Sequence, residues 1–441
     1  MKILTLTNLY PPHHAGTNDF RCQTIVENLR TRGHEVQVLT SKHGMTAEQT
    51  GADVERRLLL NGAFEHPLAS GYKDTAEIEL QNNGLLRETI AAFQPDLVHV
   101  FSMEGLSKSL LFTLRLARVP TVYDVANYWI AQGIRKDPWL KWWNQTHAPF
   151  GENMARATLE MSGKRNTLDE TAPTRMMKGY ERVPQVYGND AELAQVQPNS
   201  VTAFRFDRLY FCSHSLKEAT ERAGFRVNHA EVIHPGIATQ QYVGEVKPAS
   251  APVKKFLIAT QLTRESGVLT ALQAFEAIAS QVPGSSLSIF GKGDSSYIAE
   301  VRSFIAMRKL PVEFLPVSNL VRELPAIYKR HDALIHPTEW EEPFSYVPLE
   351  AMASGLPVIA SEVGGNRDIL KHGQNALSFT PGDFAYLAER MLELVQNPDL
   401  RCRVADNGQQ EVLSAYNEST VMDKIENYLA GSLEFWAQIS G

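Results

Sequence analysis

Apolar residues in this chain come in short runs separated by longer stretches of helical period. The first run, Ile3-Leu4-Thr5-Leu6-Thr7 within KILTLTNLY, has the length of a strand. A polar loop, PPHHAGTND, follows. Next come a helical stretch from about Phe20 to Arg32 and a second strand, His34-Glu35-Val36-Gln37-Val38-Leu39-Thr40. Gly33 stands where a helix ends, just after Arg30 and Arg32. The theme returns with the strand Leu97-Val98-His99-Val100, a helix through SLLFTLRLA and the strand Thr121-Val122-Tyr123. Such alternation predicts parallel strands joined by crossover helices, which is one doubly wound half.

From about 139 to 200 the periodicity dissolves into polar sequence punctuated by Gly and Pro, such as MSGKRNTLDETAPTRMMKGYERVP, read as an irregular insertion. Strand character resumes at Leu209-Tyr210-Phe211-Cys212, with Ser213 placed to cap the next helix. The half closes through EVIHPGIA into the polar linker VGEVKPASAPVKK. A second alternating series has strands at Phe256-Leu257-Ile258-Ala259, Leu287-Ser288-Ile289-Phe290, Val312-Glu313-Phe314-Leu315 and Ala333-Leu334-Ile335-His336. Helices are expected near Leu269 to Ala279 and from Ser295. Two Rossmann-like domains are therefore predicted, over 1–245 and 246–419, with ligands expected at the carboxyl edges of their strands.

Composition narrows the function classes. With 441 residues, 43% hydrophobic and 21% charged, the chain has the make-up of an ordinary globular enzyme. A net charge of -7 offers no excess of cations for a nucleic acid. The three cysteines, Cys22, Cys212 and Cys402, are widely spaced, which suits a reducing compartment and argues against a disulfide framework or a zinc site. The first apolar run lacks a signal-peptide cleavage site, and no uncharged run approaches the roughly 18 residues that span a bilayer. The expected location is the cytoplasm.

The most informative stretch is HPTEWEEPFSYVPLEAMASGLPVIASEVGGNRDIL, residues 336 to 370. A strand ends at His336, a loop carries Glu339, Glu341 and Glu342, and a helix starts near Ser345, with Pro348 in its first turn and Gly355 ending it. The free N–H groups of a helix start suit a diphosphate. At a helical rise of ~1.5 Å per residue, Glu342 and Glu350 lie about 12 Å apart. That spacing places one carboxylate near a sugar and the other near a ribose, each able to accept two hydroxyl hydrogen bonds.

This stretch resembles the signature of glycosyltransferase family 4, retaining enzymes of the GT-B fold, whose hallmark is two glutamates separated by seven residues. Here the pair is Glu342-x7-Glu350, inside EEPFSYVPLEAMASGLPVIASEVGG. YPPHHAGTNDFRCQTIVENLRTRGHEVQVLT is similar to the family's N-terminal Gly loop, helix and strand. QPDLVHV, DRLYFCSHSLKEA and VIHPGIA match as well, and LSFTPGDFAYLAERMLELV resembles its closing helix region. The resemblance implies an α/β, GT-B protein with two Rossmann-like doubly wound domains facing a central cleft. The donor is expected mainly on the C-terminal half and the acceptor on the N-terminal half. A final helix, about 420–438, is expected to pack back on the first domain.

The resemblance also implies site roles: Glu342 contacts donor-sugar hydroxyls, Glu350 binds the ribose, and the amides of Phe344, Ser345 and Tyr346 hold sugar and diphosphate. The implied reaction moves a hexose from a nucleotide-diphosphate sugar to a hydroxyl. A UDP-sugar such as UDP-glucose is the expected donor. The acceptor is a sugar, a sugar phosphate (as for a sucrose-phosphate-synthase-like relative), a lipid or a natural product. Configuration is retained through front-face attack, with no cofactor and no essential metal. The alternatives are a non-catalytic nucleotide-sugar-binding protein and a GT-B epimerase or phosphorylase.

Departures from the family pattern mark further positions. Gln261 and Ser266 stand where the family carries an Arg and the Lys of a Lys-Gly pair on the diphosphate, and Arg264 is the candidate replacement cation. The usual glycine pair of the N-terminal loop is Gly16 and Thr17, expected near the phosphate and acceptor. The usual cleft histidine positions hold Phe101 and Tyr123, so Asp124, at a strand end expected to face the cleft, becomes the polar catalytic candidate, and His99 reads as a core residue. Val317 falls at the base-contact position. Gly364-Gly365 reads either as a turn or as a close backbone approach near the ligand. RKDPWLKWWNQ sets Trp139, Trp142 and Trp143 on one helix face, favouring buried aromatic packing or an acceptor pocket over a membrane surface.

Overall fold

The computed structural model describes residues 1–45, 53–69, 72–134, 137–139, 154, 206, 208–227, 229–317 and 320–440. The chain divides into two compact units. The first holds Met1–Cys212, Leu216–Ile233 and Lys424–Gly441, and the second holds Ser213–Ser215 and His234–Asp423. Most of the irregular stretch at about 139–200, with Trp142 and Trp143, lies outside the described residues, while Trp139 is fully buried.

The first unit runs β1 (Lys2–Leu6), α1 (Thr17–Thr31), β2 (Glu35–Ser41), β3 (Val54–Leu58), α2 (Tyr72–Phe93), β4 (Leu97–Val100), α3 (Leu110–Ala117), β5 (Thr121–Val125), β6 (Leu209–Phe211), α4 (His214–Arg222) and β7 (Glu231–Val232). Its strands lie in the order β3-β2-β1-β4-β5-β6-β7, all parallel. The inner strands are buried along most of their length, because a parallel sheet covered by crossover helices hides both faces and so reads as an apolar run. Gly33 ends α1 at φ +88, with its N–H donating to Arg30 O at 2.9 Å.

Two elements escape the hydrophobic pattern. Edge strand β3 is VERRL, with two charged arginines in its middle. Helix α2 buries Glu79, Asn82 and Asn83, which interrupts its apolar stripe. Asn82 bonds both the N–H and the C=O of Leu59 (2.8 and 2.9 Å), and Asn83 donates to Ser109 Oγ at 2.6 Å. The C-terminal helix, Glu418–Ser440, contributes its later part to this unit. There Tyr428 OH donates to Leu209 O at 2.7 Å, Ser432 Oγ accepts from Arg208 Nε at 3.0 Å, and Glu426 accepts from Arg32 at 2.7 Å.

The second unit begins with α5 (Thr239–Tyr242) and continues β8 (Lys255–Ala259), α6 (Val268–Ile278), β9 (Ser286–Phe290), α7 (Ser295–Arg308), β10 (Val312–Phe314), α8 (Leu320–Arg330), β11 (Ala333–His336), α9 (Tyr346–Ala353), β12 (Val358–Ser361), α10 (Asn366–Ile369), β13 (Leu377–Phe379), α11 (Phe384–Gln396) and α12 (Pro398–Ala415). Its parallel sheet has the order β10-β9-β8-β11-β12-β13 over a core that includes Phe256, Ile258, Phe275, Ile289 and Phe379. The boundary falls at Ile233/His234 rather than near 245. The stretch after His234 is bonded into the second unit, with Ile237 N–H donating to Tyr416 O at 2.9 Å and Gln409 Nε2 to Gly244 O at 2.8 Å. Among the described residues no helix is long and apolar enough to cross a membrane.

Candidate functional site

In the second sheet the crossovers change direction between β8 and β11, so the loops leaving the carboxyl ends of those strands open side by side. Gln261, Arg264 and Ser266 lie in the loop after β8. Glu342, Phe344, Ser345 and Tyr346 span the loop after β11 and the start of α9. The two loops are joined: Glu339 N–H donates to Glu265 O at 2.8 Å, and Thr270 Oγ1 donates to Glu339 Oε1 at 2.5 Å. Gly267 makes this approach possible. It sits at φ +69, and a Cβ there would lie 1.8 Å from Pro337 O.

The loop's acids differ in how they are committed. Glu339 serves Thr270, and Glu341 pairs with Arg367 at 3.2 Å. The Glu342 carboxylate makes no hydrogen bond among the described residues and lies 3.6 Å from His336 Nε2. His336 is buried, and neither of its ring nitrogens has a hydrogen-bond partner among the described residues. Strand position alone gives no sign of this placement under Glu342. Gly364 and Gly365 press against the same loop. A Cβ on the first would lie 2.3 Å from Glu342 O and one on the second 2.4 Å from Pro343 O, while Gly365 N–H donates to Glu342 O at 2.8 Å. The pair is thus a close backbone approach rather than a free turn.

Ser345 is the N-cap residue of α9, buried, with extended backbone at φ -109. The N–H groups of Phe344 and Ser345 donate to nothing among the described residues, so two amides stand open at a helix start. The Phe344 ring packs edge-on to Tyr346, with centroids 5.6 Å apart. One helical stretch further on, Glu350 accepts from Tyr242 OH at 3.0 Å and from Tyr328 OH at 2.8 Å, one on each oxygen. Burial raises its pKa above the ordinary glutamate value, against the lowering effect of the two tyrosines. Each oxygen keeps a second lone pair for another hydroxyl. Tyr242 and Tyr328 arrive from α5 and α8, so spacing along the chain does not reveal them.

The other expected donor-side residues are placed less uniformly. Gln261 is exposed. Ser266 is buried and donates to Thr263 O at 2.6 Å. Arg264 is exposed and ion-paired with Glu300 at 2.6 Å. Val317 is half-buried just beyond β10. In the first unit Gly16 caps α1 and Thr17 begins it. Gly16 has extended backbone, φ -175, with no atom within 4 Å of where a Cβ would stand.

Asp124, expected from its strand-end position to face the ligand cleft, is instead sealed. Its side chain is 0% exposed, Arg21 NH1 donates to Oδ1 at 2.6 Å, and Tyr210 OH donates to Oδ2 at 2.7 Å. Because the Tyr210 proton goes to Asp124, the 3.0 Å contact between His99 Nε2 and Tyr210 OH has the imidazole N–H as donor. Burial lowers the His99 pKa to about 4. Asp124 is therefore the anionic anchor of a buried network. Arg21, on α1, is itself buried and turned inward to meet Asp124.

The model described as "Glycosyl transferases group 1" matches residues 245–411, and that described as "Glycosyl transferase 4-like domain" matches residues 20–151. A glycogen synthase of Mycobacterium tuberculosis is 31% identical over 220 residues, which cover 49% of this chain and 52% of that protein, so the match spans about half the length of the curated relative. The structure of Anabaena Alr3699/HepE in complex with UDP aligns over 98% of this chain and 100% of its own, with TM-score 0.66 and 17% identity. Sucrose-phosphate synthase from Thermosynechococcus elongatus aligns over 100% of both chains, with TM-score 0.63 and 17% identity. These two likenesses show the same fold. With both family models matched in order across more than half of its length, the chain belongs to the group 1, family 4-type glycosyltransferase family and has the GT-B fold.

Proposed function

We propose that this chain moves a hexose from a UDP-sugar to an acceptor hydroxyl with retention of anomeric configuration. The observation that carries the reading is the loop from Pro337 to Ser345. Held by Gly267 on one side and Gly364-Gly365 on the other, it presents one uncommitted carboxylate, two open amides and a helix start together. In this reading Glu342 accepts donor-sugar hydroxyls, the amides of Phe344, Ser345 and Tyr346 hold the diphosphate, and Glu350 accepts ribose hydroxyls on its free lone pairs. Val317 touches the base, and Gln261 and Ser266 line the diphosphate. The choice of UDP is supported by HepE, whose structures are described with UDP and with UDP-glucose.

During transfer the bond from the anomeric carbon to phosphate oxygen breaks and the acceptor oxygen bonds on the same face. The departing diphosphate takes the acceptor proton. Charge builds on that leaving group, where donors fixed in advance are worth most. Arg264 reaches it by giving up Glu300, an exposed pair worth about 0–1 kcal/mol. A second reading, a nucleotide-sugar-binding protein without turnover, is favoured by the same neighbourhood, since Ser266 is tied down and Arg264 engaged.

A thermal-shift screen of UDP, GDP, ADP and their sugars on the native chain and on Glu350→Ala tests the donor assignment, because a ligand that binds only the folded state raises the melting temperature. A rise with UDP or UDP-glucose that vanishes in the variant is expected. No rise with any nucleotide overturns the assignment, and a rise without product formation across an acceptor panel selects the second reading.

A further inference from the structure

Three side chains of the second unit converge: His214 on the first turn of α4, where Ser213–Ser215 group with this unit although the rest of the helix belongs to the first, His234, and Asp368 on α10. Nδ1 of His214 lies 3.2 Å from Asp368 Oδ2, and Nε2 of His234 lies 3.0 Å from the same oxygen. The three candidate ligand atoms all fall within 4.8 Å of one another. The Asp368 side chain is 7% exposed, that of His234 25% and that of His214 64%, so the cluster has a closed floor and an open side. The His214 backbone N–H also donates to Oδ2, at 2.7 Å.

Two imidazole nitrogens and a carboxylate oxygen form a borderline donor set that suits zinc and its first-row neighbours. With bonds of ~2.0–2.1 Å, ligand atoms of a tetrahedral ion stand about 3.3 Å apart, close to the 3.2 and 3.0 Å of the two contacts here. We propose that His214, His234 and Asp368 form a binding site for a divalent transition-metal ion, foremost Zn²⁺, with water as the fourth ligand on the open side. Binding replaces the imidazole–carboxylate hydrogen bonds. The ring proton of His214 moves to Nε2 and that of His234 to Nδ1, freeing the facing nitrogens for the ion.

The site adjoins the proposed donor loop. The His234 ring lies 6.1 Å from that of Phe344, and α10 directly follows Gly364-Gly365. A bound ion therefore braces that loop from behind, a consequence that rests on the function proposed above, whereas the metal site itself does not.

The test uses the full chain stripped with EDTA, titrated with CoCl₂ by visible absorption and with ZnSO₄ by calorimetry. One equivalent of low-coordinate Co²⁺, displaced by Zn²⁺, is expected. His214→Ala and His234→Ala should each weaken Zn²⁺ binding at least about tenfold. His214 is open to solvent, so its removal should leave the EDTA-treated melting temperature unchanged, which separates ligand loss from misfolding. In the first unit His43 and His66 form a second imidazole pair, 3.0 Å apart, and His66→Ala should leave the high-affinity equivalent intact. The proposal is overturned if neither ion binds, if both cluster variants bind as the native chain does, or if the signal follows His66. A UDP-glucose thermal shift measured on the same samples reports separately on the donor site.

Discussion

Replacing Gly267 with alanine tests whether the two loops at the second sheet's switch point are held as the geometry describes. At φ +69 an alanine incurs the left-handed penalty, about 1–2 kcal/mol. Its Cβ would also start 1.8 Å from Pro337 O, a separation that has to open beyond 3.0 Å. Pro337 follows β11 directly, so that movement pulls on the Glu339–Glu265 and Thr270–Glu339 hydrogen bonds, each worth about 0.5–1.5 kcal/mol. The expected loss is roughly 2–5 kcal/mol, read by urea denaturation followed through tryptophan fluorescence. The donor-induced thermal shift should shrink with it, because the displaced loop carries Glu342. Gly16→Ala is the matched control: its backbone is extended and the space around it open, so stability should hold within about 0.5 kcal/mol. Equal stability of the two variants would mean that Gly267 does not hold the two loops together.

Three further outcomes are expected. Arg21→Ala leaves Asp124 charged and buried without its guanidinium and should cost about 3–5 kcal/mol, part of which Asp124→Asn restores in the double variant; strictly additive losses would contradict the pairing. His99 has a folded pKa of about 4 against an ordinary 6.5, so below pH 6.5 the unfolded chain takes up a proton that the folded one refuses. Stability is lost as pH falls from 6.5 toward 4, by up to about 3 kcal/mol, and His99→Phe should flatten that acid limb; a superimposable limb counts against the buried neutral imidazole. Arg264→Ala should change stability by no more than about 1 kcal/mol yet lower kcat/KM for the donor at least about tenfold, and an unchanged kcat/KM removes Arg264 from the leaving-group role.

What the linear chain determines here is whatever repeats along it or lies close within it. Strands β1, β4, β8 and β11 are legible because burial on both faces makes them mostly apolar runs, with single polar residues such as Thr5 and His99 among them. The Glu342-x7-Glu350 spacing, the loop before the helix and the glycine that ends it are local, and they stand in the structure where the pattern puts them. Helix α2 is illegible because its buried Asn82 and Asn83 answer polar groups on other segments, Leu59 and Ser109. The same holds at the site. It is folding in three dimensions that has Tyr242 and Tyr328 share Glu350, sets His336 beside Glu342, and closes Arg21 over Asp124 to take it out of solvent. Periodicity reports how much of a segment is hidden, but the partner of a buried charge or hydroxyl is set by distance in three dimensions, and residues 108 or 103 positions apart carry no sequence signal that they will meet.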